Sequence, residues 1–205
     1  DFGLTSHLAI LSFIVSFGLV KAGANLFAGM LGDQVGRRTV LRIGWLFGIP
    51  VPWLLYAAPS WKWVLVANAL LGVNQGLAWS STVIMKIDLA GPRQRGLAMG
   101  LNEAAGYLAV SGAALLAGIL AGNWGHREAL LVVGGSASVL GLFLTAFVKE
   151  SRTHAHAEGR DSTGGERSFR EVFLLTSWRD RNLFSVSQVG MVNNLNDGMA
   201  WGLFP

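Results

Sequence analysis

The sequence predicts an all-α protein, a polytopic bundle of transmembrane helices. Apolar residues gather in runs of about 20 or more, long enough to cross a hydrocarbon core. Charged residues make up 14% of the chain and hydrophobic ones 52%, whereas soluble domains carry roughly 25% charged residues. Lys and Arg alternate between crowded and sparse loops, which is a topology signal. Mean hydropathy is +0.45. The net charge of +4 is spread over short loops, so no nucleic-acid partner is expected. With no cysteine, the chain has no disulfide framework and no thiolate metal site.

The first span is expected over residues 5–30, and the second over 39–58, where Pro50 and Pro52 predict a kink. A third follows over 61–89, a fourth over 93–121 and a fifth over 128–148. A polar stretch, 149–181, separates these from a less apolar segment, 182–205. The expected organisation is therefore 1–149 as membrane helices, 150–181 as a loop and 182–205 as the start of a further helix. The chain begins at Asp1 and stops within an apolar segment, so both ends read as cut.

Arg37, Arg38 and Arg42 follow the first span, Arg93 and Arg95 the third, and a series from Lys149 to Arg181 the fifth. The intervening turns hold only Lys62 and Arg127. The basic loops are thus placed in the cytoplasm. Trp53, Trp61, Trp63 and Trp124 fall where an aromatic belt would lie. Residues 154–165 are polar and Gly-rich, which predicts flexibility. His154 and His156 lack a third ligand and read as solvated. Residues 168–178 set Phe169, Val172, Phe173 and Leu174 against Arg170 and Glu171, a short amphipathic helix for a membrane surface.

Gly-x-x-x-Gly recurs at Gly44/Gly48, Gly72/Gly76, Gly96/Gly100, Gly118/Gly122 and Gly198/Gly202. In lipid such pairs serve close helix packing. None follows a strand, as a phosphate-binding loop would require.

Ionisable and amide groups inside the spans are functional candidates. Lys21 and Asn25 share a face at i, i+4. Lys21 either binds an anionic group or pairs with a carboxylate in the bundle. Glu103, beside Asn102, lies at similar depth; it is a candidate proton-coupling or solute-binding carboxylate, with Lys21 as candidate partner. Asn74 and Gln75 make the third span polar at its middle, and Asn193, Asn194, Asn196 and Asp197 do the same for the last segment. Each set serves either solute contact or helix packing. Lys86 and Asp88 read as interface residues, with Lys86 snorkelling to headgroups.

The hairpin between the first two spans carries Gly29, Leu31, Gly32, Asp33, Gly36, Arg37 and Arg38. It resembles the loop between helices two and three of the major facilitator superfamily, whose pattern is Gly-x-Leu-x-Asp-basic-x-Gly-Arg-basic. Gln34 departs from it, since a basic residue is usual there. The resemblance implies an N-terminal half lacking its first helix, followed by the start of a C-terminal half. It implies that Gly29, Gly32, Asp33, Gly36, Arg37 and Arg38 serve conformational gating. Asp33 would be linked to Arg95 (or Arg93) and to Glu150 in Val148-Lys149-Glu150-Ser151. It also implies that the third span lines a cavity, although the Arg usual three positions before Gln75-Gly76 is Gly72 here. The last segment would face that span across the cavity.

The function expected is secondary active transport of a small solute or ion by alternating access, with proton coupling through Glu103. The alternative is a non-transporting sensor or assembly protein that keeps the fold. A membrane-embedded enzyme lacks any motif. The lipid bilayer is an expected partner; no cofactor or metal is expected, and oligomeric state is not legible.

Overall fold

The computed structural model describes residues 2–154 and 168–203, and among them helices are the only regular elements. The chain divides into two compact units, 1–161 and 162–205.

In the first unit, α1 spans His7–Val35, opened by Ser6, whose Oγ accepts from the Ala9 N–H at 3.5 Å. The expected hairpin is much tighter than its sequence suggests. Helix continues through Asp33 to Val35, and only Gly36 leaves it, with φ 94°. That left-handed value favours glycine. α2 then runs Arg37–Gly48 and α3 Pro50–Tyr56. The break between them is the expected proline kink. Pro52 has no N–H for the Gly48 carbonyl, and Ser138 Oγ, from a helix further along the chain, donates to that carbonyl at 3.2 Å.

α4 spans Trp61–Trp124, 64 residues with one interruption at Gly91 (φ 68°, ψ 170°). Its contour of about 96 Å at 1.5 Å per residue is roughly three times a hydrocarbon core. It is therefore two spans, with Pro92 as first residue of the second, a position where proline's missing donor does no harm. The halves lie antiparallel. Lys86 reaches Asn102, and a Cβ at Gly106 would stand 2.9 Å from Trp79. α5 completes the unit at His126–Leu144. α1, α2–α3, α4 and α5 are each long and apolar enough to cross a membrane.

α1 and the first half of α4 run in parallel, paired by glycines. A Cβ at Gly72 would fall 2.7 Å from the Phe17 carbonyl oxygen, and one at Gly76 would meet Ala24 Cβ. α2 runs antiparallel to α4 in the same way, with Gly44 against Ala78 and Gly48 against Asn74. Two of the expected glycine pairs thus bring backbones together. At Gly96, Gly100, Gly118 and Gly122 a Cβ would meet nothing within 4 Å, so these are not helix-packing pairs within the unit. The core is small, formed by Ala28, Val40 and Leu77 and by Leu41, Ala78 and Met85. Large apolar side chains such as Leu108, Leu115 and Phe147 point outward, which suits a lipid-facing surface. Trp53, Trp63 and Trp124 are also exposed, while Trp61 Nε1 donates to Ser12 Oγ at 2.9 Å.

In the second unit, α6 spans Phe169–Leu174, capped by Ser168, and continues into a wider π turn at Leu175–Arg179. It falls where the sequence places an amphipathic segment, and Phe169, Val172 and Phe173 are exposed on it, as are Arg170 and Glu171. α7 follows at Arg181–Leu203. Asp180 Oδ1 caps it, accepting from the N–H of Asn182 and Leu183 at 2.9 Å each. Most of the expected flexible linker (including His156) and the side chains of Asn196 and Trp201 lie outside the described residues.

Candidate functional site

Two polar arrangements stand out in the first unit. The larger lies at the junction of α1 and α2. Gly36 turns the chain so that α2 begins with two bare backbone N–H groups and no capping side chain of its own. Glu150, beyond the end of α5, supplies the cap. Its Oε1 accepts from Arg37 N–H and its Oε2 from Arg38 N–H, both at 3.0 Å. A carboxylate at a helix N-terminus also gains from the helix dipole. Burial pushes the Glu150 carboxyl up, but the backbone N–H groups of Arg152, Arg38 and Arg37 outweigh it and hold it below its ordinary value. A Cβ at Gly36 would sit 2.8 Å from Glu150 Oε2, so glycine is needed there on both counts.

Arg37 turns its side chain inward. Its Nη2 donates to Asp33 Oδ1 at 3.0 Å, and its Nη1 stands 3.0 Å from Asp88 Oδ2. The first carboxylate is 65% exposed and the second 9%. The Asp88 contact is an ion pair without hydrogen-bond alignment, and Arg37 Nε is buried with no acceptor. Ser151, fully buried, donates to Asp88 Oδ2 at 2.7 Å. Arg38 Nη2 donates to the Ala146 carbonyl at 2.7 Å, and Arg152 Nη1 to the Gln34 carbonyl at 3.1 Å. α1, α2, the end of the first half of α4 and the segment after α5 are thereby tied at one point.

Gly32, Asp33, Gly36, Arg37, Arg38 and Glu150 are therefore neighbours. Gly29 lies one turn up α1, where a Cβ would meet Ile84 at 4.0 Å. The arginine bonded to Asp33 is Arg37, four residues on across the Gly36 break; Arg95 Nε donates to the Ile87 carbonyl at 3.5 Å. Asp88 is the residue that sequence reasoning missed. It is not an interface residue but the buried carboxylate of the cluster. Its spacing from Lys86 drew attention to the wrong comparison, since its partner comes from another helix.

The second arrangement joins the two halves of α4. Lys86 Nζ donates to Asn102 Oδ1 at 2.7 Å, and Asn102 Nδ2 to Glu103 Oε1 at 3.3 Å. Asn102 is buried. Lys86 does not snorkel to the nearer surface. Side chains on a helix lean towards its N-terminus, and from Lys86 that direction runs away from the Gly91 break and into the span.

Lys21 lies at the middle of α1, 14 residues from each end by number (21 − 7 and 35 − 21). Its Nζ lies 5.3 Å from the Phe17 ring centroid. No ion pair joins it to Glu103 among the described residues. Asn25, one turn on, accepts from Ser80 Oγ at 2.9 Å. Asn74 turns to α2 and donates to the Gly44 carbonyl at 2.9 Å, so its amide holds helices together. Gln75 is partly buried on α4. In the second unit Asn193, Asn194 and Asp197 are exposed on α7, with Asn194 Nδ2 donating to the Gly190 carbonyl at 2.9 Å.

A bundle of helices long and apolar enough to cross a membrane, tied by ionic contacts at one end, defines a multi-pass membrane-protein architecture. The sequence profile of the Major Facilitator Superfamily matches residues 1–203, and the chain belongs to that family. It is 26% identical over 184 residues to the "Inner membrane transport protein YnfM" of Escherichia coli, covering 89% of this chain and 42% of that protein. It is 32% identical over 181 residues to the "Probable 4-methylmuconolactone transporter" of Cupriavidus pinatubonensis, covering 84% of this chain and 41% of that one. To the "Uncharacterized MFS-type transporter Rv2994" of Mycobacterium tuberculosis it is 31% identical over 143 residues, 67% of this chain and 32% of that protein. The chain thus spans less than half the length of these relatives. Its place is the inner or plasma membrane.

Proposed function

We propose that the protein is a secondary transporter that moves a small solute across the membrane by alternating access, with proton coupling through Glu103. The observation that carries this reading is the ionic tie at the foot of α2. Arg37 stands between an exposed and a buried carboxylate, Asp33 and Asp88. Such a group holds helices as one rigid body while leaving an outer bond that can be exchanged for another partner. Rocking of rigid bundles about a central site is how transporters of this architecture work. Each exchanged contact would bias the equilibrium by about 1–3 kcal/mol, the usual scale of coupling between sites.

Glu103 supports proton coupling by its placement. It lies 12 residues beyond the Gly91 break (103 − 91), about 18 Å into its span. Through Asn102 it is connected to the cation of Lys86. Lys21, Asn25 and Gln75 are the candidate solute contacts of the first unit, and Asn193, Asn194 and Asp197, taken by themselves, those of the second. One relative carries the name of a 4-methylmuconolactone transporter, which makes small organic compounds the first solutes to try.

The experiment is solute uptake into vesicles that hold the full-length protein, at several external pH values. Uptake driven by a proton gradient, and losing its pH dependence in Glu103→Gln, is expected. Absence of uptake of any small organic solute would favour the non-transporting sensor. Uptake with the pH dependence intact in Glu103→Gln would remove the coupling role alone.

A further inference from the structure

We infer that Lys21 and Asn25 form an oxyanion-binding site at the middle of the membrane, and that the solute carries a carboxylate or phosphate group. This rests on the transporter reading above. An ammonium at the centre of a spanning helix is costly and is normally paired with an acid. No described acid of this unit forms an ion pair with Lys21. Asp33 and Asp88 hold Arg37, Glu150 caps α2, and Glu103 accepts from Asn102. Glu128 lies at the opposite end of the unit, in the first turn of α5.

What Lys21 has instead is the Phe17 ring, with Nζ 5.3 Å from its centroid. A ring face stabilises a cation but takes none of its N–H bonds along an oxygen direction. Asn25 adds donors. Its Oδ1 accepts from Ser80 Oγ at 2.9 Å, which orients the amide and leaves the two Nδ2 donors for a ligand. Lys21 and Asn25 stand one turn apart on one face. Both offer N–H groups, five in all, against the one remaining lone pair of Asn25 Oδ1. That polarity selects an oxyanion and rejects a cation.

The site is also held in place. Cβ atoms at Gly72 and Gly76 would approach the Lys21 N at 3.0 Å and the Lys21 O at 3.1 Å, so α4 lies directly against this stretch of α1. The two donors therefore sit on a supported segment, and both remain partly open.

The test uses the full-length protein in detergent, with glycerol 3-phosphate, succinate and benzoate as probes and glycerol and benzyl alcohol as neutral counterparts. At least one oxyanion should raise the unfolding midpoint of the wild type at millimolar concentration, and neither neutral compound should. Lys21→Gln should bind that oxyanion at least about tenfold more weakly, while Lys21→Arg should keep most of the effect. A Lys21→Gln protein that stays monodisperse and melts like the wild type without ligand excludes simple misfolding. If Lys21→Gln misfolds, retention of the shift in Lys21→Arg and its loss in Asn25→Leu carry the test. No stabilisation by any oxyanion, or equal stabilisation in Lys21→Gln, would overturn the site. Oxyanion binding with no uptake into vesicles would keep the site and overturn transport. Uptake of neutral or cationic solutes alone, unchanged in Lys21→Gln, would keep transport and overturn the site.

Discussion

Glu150 accepts a hydrogen bond from the backbone N–H of Arg37 at 3.0 Å, across 113 positions of sequence. The far end of the unit thereby caps the helix that opens at Gly36. A cap supplied from so far away couples the start of α2 to the end of α5.

Glu150→Gln should destabilise the unit by about 1 kcal/mol, the usual worth of an N-cap. The pH dependence follows from the sign of the shift. The folded carboxyl titrates below its ordinary value, so its contribution is complete above the unfolded value and fades as pH falls through the folded one. Thermal unfolding of wild type and Glu150→Gln should therefore differ at pH 7 and converge in the acid range, below about pH 4. A gap that widened on acidification would contradict the cap.

Asp33 and Asp88 bond the same guanidinium but should behave differently. Asp33 is 65% exposed, and Asp33→Asn should cost no more than about 1 kcal/mol of stability. Asp88 is buried, and Asp88→Asn leaves the inner side of the Arg37 guanidinium facing a neutral amide, with only the exposed Asp33 as counter-charge, at a cost of about 3 kcal/mol. On the proposed transport cycle Asp33→Asn should nonetheless slow uptake, because the exposed bond is the one proposed to exchange. Unfolding midpoints and uptake rates of the two variants, measured side by side, check this.

Much of this fold was legible in the sequence because lipid enforces it. Apolar run length and the alternation of basic loops marked every span of the first unit, and Pro50 and Pro52 marked the kink. The Gly36 hairpin was legible through its spacing, and Glu150 only through the resemblance to the major facilitator pattern, which linked it to Asp33 and not to the start of α2. Asp88 and Lys86 were not. Their roles depend on which helix stands opposite, and a pattern along one helix holds no record of that. Asn74 was ambiguous for the same reason: an amide facing a cavity and one facing a neighbouring carbonyl have the same spacing.

Ser138 illustrates a tie that only the structure reveals. Its hydroxyl donates to the Gly48 carbonyl, which Pro52 deprives of its helical partner. Ser138→Ala should cost about 1–3 kcal/mol, because it leaves a buried acceptor unsatisfied. Pro52→Ala restores an N–H at the right position, so the same Ser138→Ala change should cost less in that background. A double-mutant cycle on unfolding midpoints measures the difference, and strict additivity would show that the hydroxyl does not serve the proline break.

The Lys86–Asn102 bond gives a prediction with a built-in reversal. Asn102 is buried, with Lys86 Nζ 2.7 Å from its Oδ1. Asn102→Leu removes the acceptor and leaves an ammonium leaning into the span with no oxygen to meet it. A lost hydrogen bond to a charged group is worth about 1.5–3 kcal/mol, and that is the expected loss of stability. Lys86→Met in the same chain removes the stranded charge and keeps an unbranched side chain of similar reach. The double variant should therefore be more stable than Asn102→Leu alone, because an apolar pair replaces a broken polar one. It should also separate structure from coupling. If Lys86 influences Glu103 through Asn102, the double variant recovers its unfolding midpoint while its uptake keeps an altered pH profile. Recovery of both would make the bond a helix tie alone.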